Sequence, residues 1–145
     1  MGPSAGGECR SKMRSLSILV VEDDAMIALL FEELLRTMGH QVCASVASEG
    51  AAIVAARALA PDLMIVDERL SPGSGVTAMH IILTTGHIPH VYVTTNESRI
   101  REAFPNAVIV SKPFRESDLV TGMGLALAAL PGPASPPRPD LAQTT

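Results

Sequence analysis

The 145-residue sequence predicts a doubly wound α/β fold on a five-stranded parallel sheet, with helices on both faces. Three observations lead there. The runs Ile18 to Val21, Leu63 to Val66, Val91 to Val93 and Val108 to Val110 are apolar without alternation and rich in β-branched residues. Strands covered on both faces of a parallel sheet read this way. The segments between them carry helical rather than strand periodicity. Strand and helix then alternate throughout residues 16–130, and right-handed crossovers place the helices on both sides of the sheet.

Taken in order, the first strand is Ile18 to Val21, cut off by Glu22-Asp23-Asp24. A helix follows. Met26, Leu29, Leu30, Leu34 and Met38 recur at steps of three and four, which predicts an apolar stripe, with Glu32, Glu33 and Arg36 opposite and Gly39 as the stop. Gln41 to Val46, apolar only at Val42, Ala44 and Val46, reads as a weaker strand suited to an edge. Ser48 caps a second helix from Glu49 to about Leu59, ended by Pro61. The strand Leu63 to Val66 precedes a third helix at 76–83, and Val91 to Val93 is the fourth strand. Only 13 residues, Thr95 to Ala107 and including Pro105, separate it from the fifth strand, so a helix there has about two turns at most and is expected to be short or irregular. The last helix is read at Leu119 to Leu130.

Residues 1–15 are small and polar without hydrophobic period, and 131–145 hold five of the eleven prolines, so both are expected to be disordered tails around one domain at 16–130. Within that block 13 acidic residues face 7 basic ones. With only three Phe, one Tyr and no Trp, neither an electrostatic grip on nucleic acid nor base stacking is indicated. Cys9 and Cys43 show no metal or disulfide spacing, and no apolar stretch approaches the roughly 18 residues of a membrane span. A reducing cytoplasm without a membrane anchor is the expectation.

In open α/β sheets, ligands bind beyond the carboxyl ends of the strands. Those ends carry Glu22-Asp23-Asp24, Asp67, Thr94-Thr95 and Ser111-Lys112-Pro113. Carboxylates about 4 to 6 Å apart repel by something on the order of 4 kcal/mol per pair at an effective dielectric near 20. Such a cluster protonates, spreads out or binds a cation, and an all-oxygen set suits Mg²⁺. A carboxylate beside that cation can attack a phosphoryl group, with an ammonium, here from Lys112, neutralising the equatorial oxygens. Asp24 is read as the cap of the first helix, outside the metal set.

The set ILVVEDD, PDLMIVD, VYVTT and VSKPF, in order and each ending a strand, resembles the receiver domain of bacterial two-component response regulators across residues 16–130. The resemblance implies a flavodoxin-like strand order 2-1-3-4-5. It makes Asp67 the phosphoacceptor, and Asp23, Glu22 and Asp67, with the backbone carbonyl of Arg69, the Mg²⁺ ligands. Thr94 becomes the switch hydroxyl and Lys112 the ion-pair partner of the phosphoryl group, with a cis Lys112-Pro113 bond. It implies a sensor histidine kinase or phosphotransfer protein as donor, and a downstream protein, not identified, as reader.

Departures from the family pattern are specific. Ile109 stands three before Lys112 where the family often has Tyr or Phe, Pro72 lies five rather than four after Asp67, and Thr95 replaces a smaller residue. The short segment after Thr95 resembles a divergent group of receivers with a reduced fourth helix, many of them standalone.

The first expectation is therefore a single-domain, phosphorylation-controlled switch or phosphorelay component that catalyses its own aspartyl phosphorylation and dephosphorylation rather than serving as an enzyme. The alternative is a phosphorylation-independent interaction module. A phosphatase with an aspartate nucleophile usually wants a second acid where Arg69 stands. The four histidines, His40, His80, His87 and His90, share no tight spacing and are read as surface or loop residues. The apolar run Leu125 to Leu130 offers a surface for a homodimer.

Overall fold

The computed structural model describes residues 15–129. The expected tails, apart from Ser15, and Leu130 lie outside the described residues. In chain order the elements are β1 (Ser17–Val21), α1 (Ala25–Thr37), β2 (Gln41–Val46), α2 (Glu49–Leu59), β3 (Leu63–Asp67) and α3 (Gly75–Ile82), which runs into a 3₁₀ turn at Leu83–Thr85. Then come β4 (His90–Thr94), α4 (Glu97–Ala103), β5 (Ile109–Ser111) and α5 (Glu116–Ala128).

The five strands form one parallel sheet in the order β2-β1-β3-β4-β5, so the weakest strand pattern does lie at an edge. Alternation of side chains across the sheet splits the apolar residues between two cores. On one face Ile18, Val20, Leu63, Ile65, Val91 and Val93 pack with Phe31 and Leu35 of α1 and Leu119, Met123 and Ala126 of α5. On the other, Leu19, Val21, Met64, Val66 and Tyr92 pack with Ala52 and Ala56 of α2, Ala78, Met79 and Ile82 of α3 and Ile100 of α4. Both faces are covered, which is why the central runs are apolar without alternation. Register pairs Val21 with Val66, Asp67 with Val93 and Thr94 with Ser111, bringing the carboxyl ends of β1, β3, β4 and β5 to one edge.

Three sequence expectations need correction. The α1 stripe holds only in its second half: Leu34 and Met38 pack against the core, whereas Met26, Leu29 and Leu30 are exposed, and the residues the helix buries fully are Ala28, Phe31 and Leu35. Apolar residues occupy most of this helix's circumference, so period alone leaves its rotation open. Phe31 fixes that rotation by stacking on Phe114 of the β5–α5 connection, with centroids 5.4 Å apart and planes 2° from parallel. Second, α5 starts at Glu116 rather than Leu119. The Asp118 carboxylate accepts from Arg115 N–H at 2.9 Å, and Glu116 and Asp118 oppose the helix dipole in a first turn that hydrophobic spacing does not register. Third, His40 lies in a connection, as read, but is buried rather than at the surface, and its Nδ1 accepts from Leu16 N–H at 3.0 Å, tying the residue before β2 to the start of β1. His90, opening β4, is half-buried against Tyr92 and Phe104. Burial holds both His40 and His90 below the usual histidine range.

The fourth helix has seven residues, in keeping with its short connection, and is regular rather than irregular. It is anchored by Ile100, fully buried, and by Phe104, whose ring stacks on Tyr92 at 5.8 Å. Among the described residues no helix is long and apolar enough to cross a membrane.

Candidate functional site

The strand ends enclose a cleft of about 280 Å³ walled by Glu22, Asp23 and Ile27, by Asp67 and Arg69, and by Thr94, Thr95 and Lys112. All six residues singled out from the sequence as site residues line it. Asp67 closes β3 and is 8% exposed. Glu22, one residue past β1, is 3% exposed, whereas Asp23 is open to solvent. One carboxylate oxygen from each of Glu22, Asp23 and Asp67 lies within 4.8 Å of the others. Asp24 stays out of this cluster as expected, its Oδ1 capping α1 by accepting from Met26 N–H at 2.9 Å and Ile27 N–H at 3.3 Å.

The local fold sets each group. Glu22 Oε2 accepts from Asp24 N–H at 3.0 Å, which turns the buried carboxylate toward the cleft, and Glu22 N–H donates to Val46 O at 2.9 Å. Lys112 N–H donates to Thr94 O at 2.8 Å, so the lysine continues β5 beside β4 and its ammonium reaches across the sheet edge. Nζ stands 3.5 Å from Asp67 Oδ2 and 3.6 Å from Glu22 Oε1. The Lys112–Pro113 bond is cis, as expected.

The loop after β3 is tied on several sides. Arg69 N–H donates to Asp67 Oδ1 at 3.4 Å, Gly75 N–H to Glu68 O at 2.8 Å, and Arg69 pairs with Ser74 in a short antiparallel bridge. Gly73 sits at φ +103°, which only glycine adopts freely, and the Ser71–Pro72 bond ahead of it is cis. Glu49, a residue without a role in the sequence reading, holds this loop from α2: its Oε1 accepts from Ser74 N–H at 3.1 Å and its N–H donates to Pro72 O at 3.1 Å. A carboxylate in a helix's first turn reads as dipole stabilisation in any sequence, and the partner lies 25 residues away, so nothing local marks the tie.

Electrostatically the cleft is unbalanced. Burial, reinforced by the neighbouring Asp67 charge, pushes the Glu22 carboxyl up to about 7, against the opposing pull of Asp24 N–H and Lys112. Glu22 Oε1 is buried and accepts no hydrogen bond. One ammonium thus pairs with two of the three carboxylates, and a buried oxygen accepts no hydrogen bond. That donor set fits a hard divalent cation, which takes oxygen ligands and retains water. Thr94, 2% exposed, uses its Oγ1 to accept from Asn96 N–H at 2.9 Å, so its hydroxyl pins the start of the β4–α4 connection. Thr95, beside it, is exposed and lines the cleft. Ile109, at the position where an aromatic was the alternative, is half-buried and pairs in register with Tyr92.

Comparison with known proteins agrees with this architecture. The family model for the response regulator receiver domain matches residues 18–123. The phyllosphere-induced regulator PhyR of Methylorubrum extorquens is 29% identical over 127 residues, covering 85% of this chain and 47% of PhyR. The transcriptional regulatory protein PdtaR of Mycobacterium tuberculosis is 29% identical over 132 residues, covering 88% of this chain and 62% of PdtaR. The chain thus spans about half to three-fifths of the length of these relatives. The solution structure of the receiver domain of the Erythrobacter litoralis PhyR response regulator superposes with a TM-score of 0.73 at 29% identity, covering 85% of this chain and 98% of that domain. With more than half its length matched by the family model and its sheet in the receiver strand order, the chain belongs to the response regulator receiver domain family, a family of signalling proteins.

Proposed function

We propose that the protein is a phosphorylation-controlled switch that accepts a phosphoryl group on Asp67 from the phosphohistidine of a sensor kinase or phosphotransfer protein. The observation that carries this reading is the convergence of Asp67, Glu22, Asp23 and Lys112 from three separate strand ends on one small cleft. A solvated strand-end aspartate needs no such company.

In this reading Asp67 attacks the phosphorus, the P–N bond to the donor imidazole breaks, and the imidazole leaves with the bonding pair, taking up a proton. Lys112 offsets charge on the transferred oxygens. Glu22, Asp23 and Asp67, with the Arg69 carbonyl, would hold Mg²⁺, which supplies further charge neutralisation on those oxygens. The Thr94 hydroxyl leaves Asn96 N–H to bond the phosphoryl group. That exchange links chemistry at Asp67 to the β4–α4 connection, and a partner protein reads the altered surface. The same cleft admits water for slow hydrolysis, which resets the switch.

A phosphorylation-independent interaction module is the second reading, favoured by Ile109 where a coupled aromatic would stand. Titration with Mg²⁺ and beryllofluoride, followed by NMR, separates the two. The switch reading expects Mg²⁺ alone to shift the amides around Asp23 and Asp67, and beryllofluoride added to the Mg²⁺-loaded protein to shift those of Thr94, Asn96 and Lys112 further. Unchanged amides would favour the module.

A further inference from the structure

Glu68, directly after the acceptor, is a charged residue with no part in the chemistry above. It follows Met64 and Val66 in strand alternation and so stands on the α2–α3–α4 side of the sheet, where its side chain is 5% exposed. Its Oε2 pairs with Arg99 Nε of α4 at 3.1 Å, while its Oε1 is buried without a hydrogen-bond partner. A buried carboxylate satisfied on one oxygen by one cation is an incomplete compensation, retained at a cost in desolvation. Apolar residues of similar volume would stabilise the fold as well, so stability alone gives little reason for a charge at this position.

Its placement suggests another. Besides a contact of Ser111 Oγ with Glu97 Oε1 at 3.5 Å, two polar links tie the amino end of α4 to the site: Thr94 Oγ1 with Asn96 N–H at 2.9 Å, and Glu68 with Arg99. They come from consecutive positions on neighbouring strands, because Asp67 pairs with Val93 and the next residues are Glu68 and Thr94. A phosphoryl group on Asp67 adds about two negative charges one residue from Glu68 and draws on the Thr94 hydroxyl. It therefore acts on both links: the first loses its acceptor, and the second, formed by the residue next to the acceptor, holds the same helix end that the first releases, through a guanidinium whose side chain is 64% exposed.

We propose that the Glu68–Arg99 pair is a latch that holds α4 against the end of β3 in the unphosphorylated protein and opens when Asp67 is phosphorylated. The proposal rests on the functional reading above. It makes α4, anchored otherwise by Ile100 and Phe104, the element whose order reports the state of the switch.

Hydrogen exchange of the full chain over residues 97–103 tests it, before and after treatment with Mg²⁺ and acetyl phosphate, with phosphoryl load read by intact mass on the same samples. In the wild type, exchange in α4 is expected to rise about threefold or more on loading. Glu68→Gln keeps the shape and removes the charge. It should show raised exchange without phosphate and little further rise when loaded. Arg99→Gln should behave likewise, the double variant should exceed neither single one, and Arg99→Lys should restore part of the response. If the variants load normally and their rise on loading equals that of the wild type, the pair is only structural and the proposal is overturned. Unaltered α4 exchange in unloaded Glu68→Gln overturns it as well. A wild type that takes up no phosphoryl group instead defeats the functional reading and, with it, the coupling.

Discussion

The Lys112 ammonium lies between two carboxylates that approach it from different strands, 3.5 Å from Asp67 Oδ2 and 3.6 Å from Glu22 Oε1. Both distances are longer than a tight charge-assisted hydrogen bond. The lysine is therefore shared, holding neither carboxylate closely.

Replacing Lys112 by Ala should slow phosphoryl uptake by about 100-fold, the scale of losing one preorganised charge-stabilising group. Uptake from acetyl phosphate, followed as adduct against time, checks this. A rate within a fewfold of wild type would mean that Lys112 is a structural ion-pair partner only.

Asp23 and Asp24 should separate cleanly. Asp24→Ala removes the α1 cap and should lower stability by about 1 kcal/mol with Mg²⁺ affinity little changed. Asp23→Ala removes the solvent-facing member of the carboxylate cluster and should weaken Mg²⁺ binding strongly while sparing the fold. Chemical denaturation and Mg²⁺ titration of each variant give the two readouts.

Gly75→Ala should be costly for a steric reason. A Cβ at this position would collide with the Asp67 carbonyl oxygen and the Val66 side chain. A loss of about 1–3 kcal/mol is expected, together with displacement of Asp67. Melting temperature and NMR shifts of the Asp67 neighbourhood report the two effects separately.

His40 should make the fold acid-sensitive. Burial favours its neutral form, whose Nδ1 accepts from Leu16 N–H, so its folded pKa lies below its unfolded value near 6.5. Above that pH both states are neutral and nothing is lost. As pH falls below it, the unfolded chain binds a proton that the folded chain resists, and stability drops by up to about 1.4 kcal/mol per pH unit until the folded pKa is reached. His40→Gln should flatten that limb of the stability–pH curve, measured by urea denaturation.

Thr95 lines the cleft beside Thr94 with a bulkier side chain than alanine. Thr95→Ala should hasten loss of the phosphoryl group several-fold, seen as faster decay of the adduct after donor removal. Equal decay rates would remove the idea.

What the sequence made legible follows from which signals are local. Strand ends are local: Glu22, Asp67, Thr94 and Lys112 each terminate or follow a short apolar run, and parallel topology then brings them to one edge. Asp24 was legible as a cap because capping acts over two or three residues. The rotation of α1 was not, because apolar residues surround that helix and the deciding partner, Phe114, lies 83 positions away. The burial of His40, the Glu49 tie to the loop after β3 and the Glu68–Arg99 pair were hidden for the same reason, each linking residues 24 to 31 positions apart. The first turn of α5 is polar and is held by Asp118, so hydrophobic period placed its start a turn late.

The central claim is that Asp67 carries the phosphoryl group. The most direct measurement incubates the protein with Mg²⁺ and acetyl phosphate and follows intact mass, with Asp67→Asn beside it. One base- and hydroxylamine-labile phosphoryl adduct on the wild type, absent from the variant and from samples stripped of Mg²⁺, is the expected result. An adduct of equal yield on Asp67→Asn, or sustained turnover of the donor with none retained, would contradict it.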